Sequence, residues 1–352
     1  MTVNDTTVLW CPIPAGIHPH WQQWERNTIT WLESFELDDE QRETGRLGAI
    51  IAGELAGRTL PDVADPPGAQ FSTDSLMWLF AFDDAYCDEG RYSHDPASMA
   101  ILVAEMGRIV ETGDTTSSSP LARALADLRR RLDLLANSAQ AARWTRTMKD
   151  YLGYQVWEAA HRSTGTTPTL DQYAVARIRN GSMEVCAMTL DIAAGYEVPA
   201  AEIDLPAVRA LTEMACALVG YDNDIASYYK EHERSDDKIN FIDVIANQYG
   251  VIAEEALRTA IALRDAVLDR YVDLRDAMEP LVSPGTRRYF DGLSAWIRGN
   301  LDWSANTARY RRPDRPTVAV SEERECDVRM QTPPVGIAWW WAEGLTAGPA
   351  TA

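Results

Sequence analysis

Asn223, Ser227 and Glu231 recur at four-residue intervals in the stretch Asn223-Asp224-Ile225-Ala226-Ser227-Tyr228-Tyr229-Lys230-Glu231. On a helix that spacing stacks them on one face over about 12 Å of axis, too far for three equal side chains to meet. The shortest stands in the middle. Glu231, the longest, stands last, where a helical side chain leans back toward the N-terminus. An amide oxygen, a hydroxyl and a carboxylate then aim at one point. All are hard donors with a single formal charge, a set that suits Mg²⁺ completed by water and phosphate oxygens. A calcium loop fits Asp222-Asn223-Asp224 poorly, because the required glycine is missing and the stretch is helical. A plain polar helix face remains the alternative.

A second oxygen cluster lies far upstream. The apolar run Ser75 to Phe82 leads straight into Asp83-Asp84-Ala85-Tyr86-Cys87-Asp88-Glu89. Carboxylates at a helix C-terminus repel one another and oppose the helix dipole, so something cationic should compensate. Asp84 and Asp88 are spaced one helical turn apart with Asp83 beside them, and together they can converge on divalent cations. A solvated acidic helix end accounts for this segment alone equally well. It does not account for the presence of both clusters in one chain.

The elements that must carry these residues read as helices. Ser119-Pro120 and Ser283-Pro284 each place a capping hydroxyl before a proline at the first helical position. Thr169 and Gln172 form a capping box for the helix containing Tyr173 and Arg177. Leu121 to Leu135, Ala253 to Met278 and Arg287 to Arg309 carry apolar residues at three- and four-residue spacing. Alternating strand patterns with hairpin turns are essentially missing, so the expected class is all-α, with ten or so helices. Pro12, Pro14, Gly16 and Pro19 mark residues 1–20 as an extended arm. A helical body over 21–312 follows, then a proline-containing tail over 313–352 that holds Trp339-Trp340-Trp341. Tryptophans are costly to leave in water. The expectation is that they dock on the helical body or on a second subunit, rather than close an active-site mouth.

Composition narrows the function classes. The chain has 352 residues, a formal charge of −20, 46% hydrophobic and 24% charged residues. A nucleic-acid partner is disfavoured, because phosphate backbones are held by an excess of Lys and Arg. A small anionic substrate would need a local island of cations or bridging metals. Cys11, Cys87, Cys186, Cys216 and Cys326 are odd in number and widely separated, which fits reduced thiols better than a disulfide frame or a zinc site. The N-terminus shows no signal-peptide pattern and no apolar stretch is long enough to span a bilayer. The expectation is a cytoplasmic protein.

Together the two oxygen clusters resemble those of microbial class I terpene synthases. The segment from Asn223 to Glu231 matches that family's N-D-x-x-S-x-x-K-E motif in full, and Asp83-Asp84-x-x-x-Asp88 looks like its aspartate-rich motif in the wider spacing. Arg309-Tyr310, with Trp303 upstream, resembles the C-terminal Arg-Tyr pair that binds diphosphate. Arg177, with Arg179 as a rival, stands where such enzymes place a diphosphate-sensing arginine. Asn180 and Gly181 then fall on the linker and effector positions of a helix break, and Ile17-His18-Pro19 and Trp31-Leu32 also fit the family's pattern. The resemblance covers roughly residues 10 to 312.

It implies a class I terpenoid-synthase helical bundle around a central apolar cavity, three Mg²⁺ ions, a prenyl diphosphate substrate and homodimerisation. The metal set would be Asp83, Asp84, Asp88, Asn223, Ser227 and Glu231. The diphosphate would be held by Arg177, Lys230, Arg309 and Tyr310, and the pocket lined by Phe80 and Trp303, with Tyr86, Trp78 and Trp157 as weaker aromatic candidates. The implied reaction ionises farnesyl diphosphate, or geranylgeranyl diphosphate, and cyclises the carbocation to a hydrocarbon or alcohol. Two alternatives stand beside it. A trans-prenyltransferase shares the fold but needs two aspartate-rich motifs, and a helical lipid-binding protein needs no converging metal ligands.

Overall fold

A computed structural model describes residues 6–37, 50–64, 66–87, 90–234, 238–310, 317–324 and 332–346. Fourteen α-helices dominate those residues. Helix α3, Pro66–Phe82, follows α1, Trp21–Ser34, and α2, Ala52–Thr59. Its residues Phe71, Leu76, Met77, Trp78, Leu79, Ala81 and Phe82 are all buried, which is why the sequence there is apolar on every side. Asp83–Cys87 continue α3 as a single π-helical turn.

Helix α5, Pro120–Leu135, packs against α3, as do Trp144 and Tyr151 of α6, Ser138–Thr164, while α4, Pro96–Thr112, packs on α5 and α6. The next helix, α7, Leu170–Asn180, stops abruptly. Ser182 enters the left-handed region at φ 59°, so the chain cannot continue the helix and restarts as α8, Met183–Ala187. Two short helices, α9, Leu190–Ala193, and α10, Ala200–Ile203, lead into the long α11, Pro206–Arg234. Then come α12, Phe241–Tyr249, α13, Ala253–Met278, and α14, Pro284–Asn306. Helix α11 packs against α7, α13 and α14, and α14 also packs against α2.

The all-α class holds, with one addition. Strand β1, Thr7–Trp10, pairs parallel with β2, Val318–Ser321, in the register Thr7 to Val318 through Trp10 to Ser321. The N-terminal arm and the C-terminal tail therefore share a backbone ladder. No local pattern could reveal this, because the two four-residue strands lie at opposite ends of the chain.

The expected caps are present with one exception. Thr169 and Gln172 form the reciprocal capping box, and the Ser283 hydroxyl accepts from the Thr286 N–H. Ser119 occupies the N-cap of α5 without making the side-chain bond. Helix α14 ends at Asn306, so Arg309 and Tyr310 lie in the turn after it and not on the helix as the sequence reading had them. The tail tryptophans form a 3-10 turn, Val335–Trp341, that packs on α7 and α11. None of them lines the central cavity among the described residues. No described helix is long and apolar enough to cross a membrane. Cys11, Cys186 and Cys216 are buried thiols outside any disulfide, and Cys326 lies outside the described residues.

Candidate active site

Helices α2, α3, α6, α7, α8, α11 and α14 enclose one cavity. Along α3 its lining runs from Leu76, Leu79 and Phe80 to Asp83, and along α11 from Val219 to Asn223, Ser227 and Glu231. Both helices change from apolar to polar along their length, so the cavity has an apolar depth and a polar end. Trp303 of α14 extends the apolar wall. Its ring lies 5.8 Å from that of Phe80, and its indole N–H is satisfied by the Ile50 carbonyl at 2.8 Å. Arg177, Lys230, Arg309 and Tyr310 line the polar end.

Ser227 donates to Glu231 Oε1, and Asn240 Nδ2 donates to Glu231 Oε2 at 2.9 Å. Asn223 Nδ2 donates to the Tyr310 hydroxyl at 2.7 Å, and Asn223 Oδ1 accepts from Arg177 at 3.1 Å. The three side chains at four-residue spacing therefore share one face of α11, and Asn240 orients the carboxylate. Their amide, hydroxyl and carboxylate oxygens are the donor chemistry that hard Mg²⁺ takes, with few charges and room for phosphate oxygens. Among the described residues there is no cluster of three or more His, Cys, Asp and Glu, so a chelate built from those types alone is not available there.

The aspartates of the first motif divide. Asp83 is half-buried and lines the cavity. Asp84 is buried and does not line it. Its two oxygens accept from Arg309 at 2.7 and 3.1 Å, a forked ion pair between two buried groups. Asp84 belongs to the π-helical turn Asp83–Cys87 and not to an α-helical one. Asp88 lies outside the described residues.

Arg177 is the arginine that reaches the cavity, while Arg179 turns outward to Glu184 and Glu213. Arg177 is anchored by Asp224, with Gly220 O and Asn180 Oδ1 at 3.3 and 3.4 Å. Burial alone would lower its pKa, but the Asp224 carboxylate, then Tyr173, Glu158 and Glu231, hold it above its ordinary value. It stays charged. Asp224 also accepts from the Tyr173 hydroxyl and from the Phe241 N–H at 2.9 Å. Burial pushes the Tyr310 hydroxyl up to about 12, so it remains a neutral donor. The Lys230 ammonium is buried and stands 6.0 Å from the Tyr310 ring centroid.

At the break after α7, Asn180 donates to Glu158 Oε1 at 2.6 Å, and Gln155 donates to the Asn180 carbonyl at 3.2 Å. Glu158 pairs with Arg162 at 3.0 Å, which reaches the Cys87 carbonyl of the π turn at 2.9 Å. A Cβ on Gly181 would lie 3.0 Å from Arg177 Nη1. Of the weaker aromatic candidates, none of Trp78, Tyr86 and Trp157 lines the cavity.

Sequence reasoning gave no role to Asp224, Tyr173, Glu158, Arg162 or Asn240. Some signal was available. Tyr173 precedes Arg177 by four residues, so the two share a helix face. Asp222, Asn223 and Asp224 fan around α11 at about 100° per residue. Asp222 pairs with the buried Arg264 at 2.7 Å, Asn223 faces the cavity and Asp224 turns to Arg177.

Residues 74–270 match the family model described as terpene synthase family 2, C-terminal metal binding. The chain is 35% identical over 342 residues to the (+)-(1(10)E,4E,6S,7R)-germacradien-6-ol synthase of Streptomyces pratensis, covering 95% of each. It is 34% identical over 350 residues to the (+)-T-muurolol synthase of Streptomyces clavuligerus, described as (2E,6E)-farnesyl diphosphate cyclizing, covering 97% of this chain and 83% of that one. Among solved structures, the SVS_A2 protein from ancestral sequence reconstruction is similar with a TM-score of 0.84 and 29% identity, covering 97% of this chain and 100% of that one.

Proposed function

We propose, from the premise that this chain belongs to the class I terpene synthases of family 2, that it cyclises farnesyl diphosphate. It is a terpene cyclase, of a family whose C-terminal part binds metal. The farnesyl assignment follows the farnesyl diphosphate cyclisation for which the Streptomyces clavuligerus relative is named. The observation that carries the reading is the convergence of Asp83 with the Asn223, Ser227 and Glu231 face on the polar end of one otherwise apolar cavity. Neither chain elongation nor lipid carriage draws support from these relatives.

Asp83, Asn223, Ser227 and Glu231 would hold the Mg²⁺, for which we adopt three ions, with Asp84 and Asp88 as supporting carboxylates. When bound, the metal supplies charge neutralisation to the departing diphosphate. Arg177, Lys230 and Arg309 add fixed positive charge around the same oxygens, and Tyr310 adds one neutral donor. This cation island explains how a chain of charge −20 takes an anionic substrate. Diphosphate leaves with the electron pair of the C–O bond, and a substrate double bond then attacks the allylic cation. The apolar walls exclude water during that interval. Phe80 and Trp303 line the apolar wall, and an aromatic face turned to a desolvated cation is worth ~2 kcal/mol or more. The carbonyl end of α7 at Asn180 and Gly181 adds partial negative charge.

Incubation with farnesyl and geranylgeranyl diphosphates, with and without Mg²⁺, followed by gas chromatography, tests the reading. Mg²⁺-dependent cyclic product from the C15 substrate is expected. Longer linear diphosphate would instead identify a chain-elongating transferase, and absence of turnover would leave a binding protein.

A further inference from the structure

The three tail tryptophans take no part in the chemistry above, yet they pack behind the helix that carries Arg177. Helix α7 has two occupied faces. Tyr173, Arg177 and Asn180 turn toward the cavity and α11. Asp171, Val175 and Arg179, spaced by four, turn the other way, and each meets the tail or a residue that the tail holds.

The Val335 N–H donates to Asp171 Oδ1 at 2.7 Å. Gly336 lies so close to α7 that a Cβ on it would stand 2.2 Å from Val175 Cγ2. Arg179 pairs with Glu184 across the helix break and lies 3.6 Å from Glu213 Oε1 on α11. The other oxygen of Glu213 accepts the Trp340 indole N–H at 3.1 Å. Trp340 is fully buried, and its carbonyl accepts from Arg270 of α13 at 2.7 Å. The turn is thereby fixed to α7, α11 and α13 at once.

We infer that Val335–Trp341 is a strap that sets the position of α7, and through it the placement of Arg177 in the cavity. The inference rests on the reading of Arg177 as a diphosphate-binding residue. Its physical basis is the weakness of α7 by itself. The helix has 11 residues, is marginal at that length, and ends in a break. Its inner face joins apolar packing, with Tyr173 stacked on Tyr221 and Phe241, to a buried cation whose hydrogen bonds to Asp224, Gly220 and Asn223 tolerate little displacement. Misplacement of a catalytic group by about 1 Å can cost roughly a hundredfold in rate. No strap residue lines the cavity, so Trp340 and Gly336 act as positioning residues.

The test uses the full chain with Mg²⁺ and farnesyl diphosphate, comparing wild type with Gly336→Val, Trp340→Ala and Trp340→Phe. Gly336→Val should lift the strap from Val175, and Trp340→Ala should release Glu213. Both should lower kcat by roughly tenfold or more while KM moves less than about threefold. Trp340→Phe, which keeps an aromatic ring in the buried position but not the indole N–H to Glu213, should recover part of the loss. In an Arg177→Met background Gly336→Val should cost little further, because the residue it positions is already gone. Amide hydrogen exchange, read without substrate, should quicken in residues 170–180 and not in α3. Folded Gly336→Val and Trp340→Ala proteins with wild-type kcat and wild-type exchange would overturn the inference. So would loss of the folded state in both, since the turn would then be a stability element. An inactive wild type would count against the proposed function instead.

Discussion

The divided aspartates make a prediction that separates a metal-facing carboxylate from a structural one. Asp84 and Arg309 are both buried and joined by two hydrogen bonds of 2.7 and 3.1 Å. Asp84→Asn keeps the shape but removes the charge and turns one acceptor into a donor facing a guanidinium. Removing one partner of a buried ion pair costs about 3–5 kcal/mol, because the other charge is left without compensation. Unfolding entropy near 2.1 cal/mol/K per residue gives about 0.7 kcal/mol/K for a chain of 352 residues. Metal-free Asp84→Asn should therefore melt about 4–7 °C below wild type. Asp83 is half-buried and open to the cavity, so metal-free Asp83→Asn should lose less than half as much. The order reverses with metal present. Asp83→Asn should need roughly tenfold more Mg²⁺ for half-maximal rate, while Asp84→Asn should lose kcat through a displaced Arg309. Scanning calorimetry without metal and Mg²⁺ titration of turnover measure the two effects. Asp84→Asn melting within about 1 °C of wild type would refute the structural assignment, as would an unchanged Mg²⁺ requirement in Asp83→Asn.

Three further outcomes follow from the site and its supports. Asp224→Asn frees the Arg177 guanidinium and leaves Tyr173 without its carboxylate, so kcat should fall about a hundredfold in steady-state assays. Gly181→Ala places a methyl 3.0 Å from Arg177 Nη1 at a φ of −78° that alanine accepts. It should slow cyclisation by roughly tenfold or change the product pattern in gas chromatography, with little change in melting temperature; normal turnover with unchanged product would remove Gly181 from the mechanism. Glu202 is pushed up by burial, but hydrogen bonds from Thr286 and Ser283 outweigh that and hold its carboxyl below the ordinary 4.5. A depressed folded-state pKa gives stability that is present above the unfolded value and lost as pH falls through the folded one. Glu202→Gln should thus cost about 1 kcal/mol at pH 7 after solvent screening, and the gap to wild type should narrow progressively in urea melts as pH falls below 4.5.

Local order was legible wherever one segment carries its own signal. The capping box at Thr169 and Gln172, the serine cap at Ser283 and the span of α13 all follow from short-range propensity and periodicity, and each is present. The Asn223, Ser227 and Glu231 stripe was equally plain, because a helical period of 3.6 puts residues four apart on one face whatever surrounds them. Other facts depend on which surfaces meet. The ion pair of Asp84 with Arg309 joins residues 225 apart in sequence, and the π-helical turn that carries Asp84 is not marked by residue type. Arg177 and Arg179 are the same amino acid two positions apart. Two steps of about 100° send them to nearly opposite sides of α7, and only the packing of α11 on one side and the tail on the other settles which one meets the cavity. A side chain's type and local spacing state what it can do, whereas its partner is set by the burial of remote segments against one another.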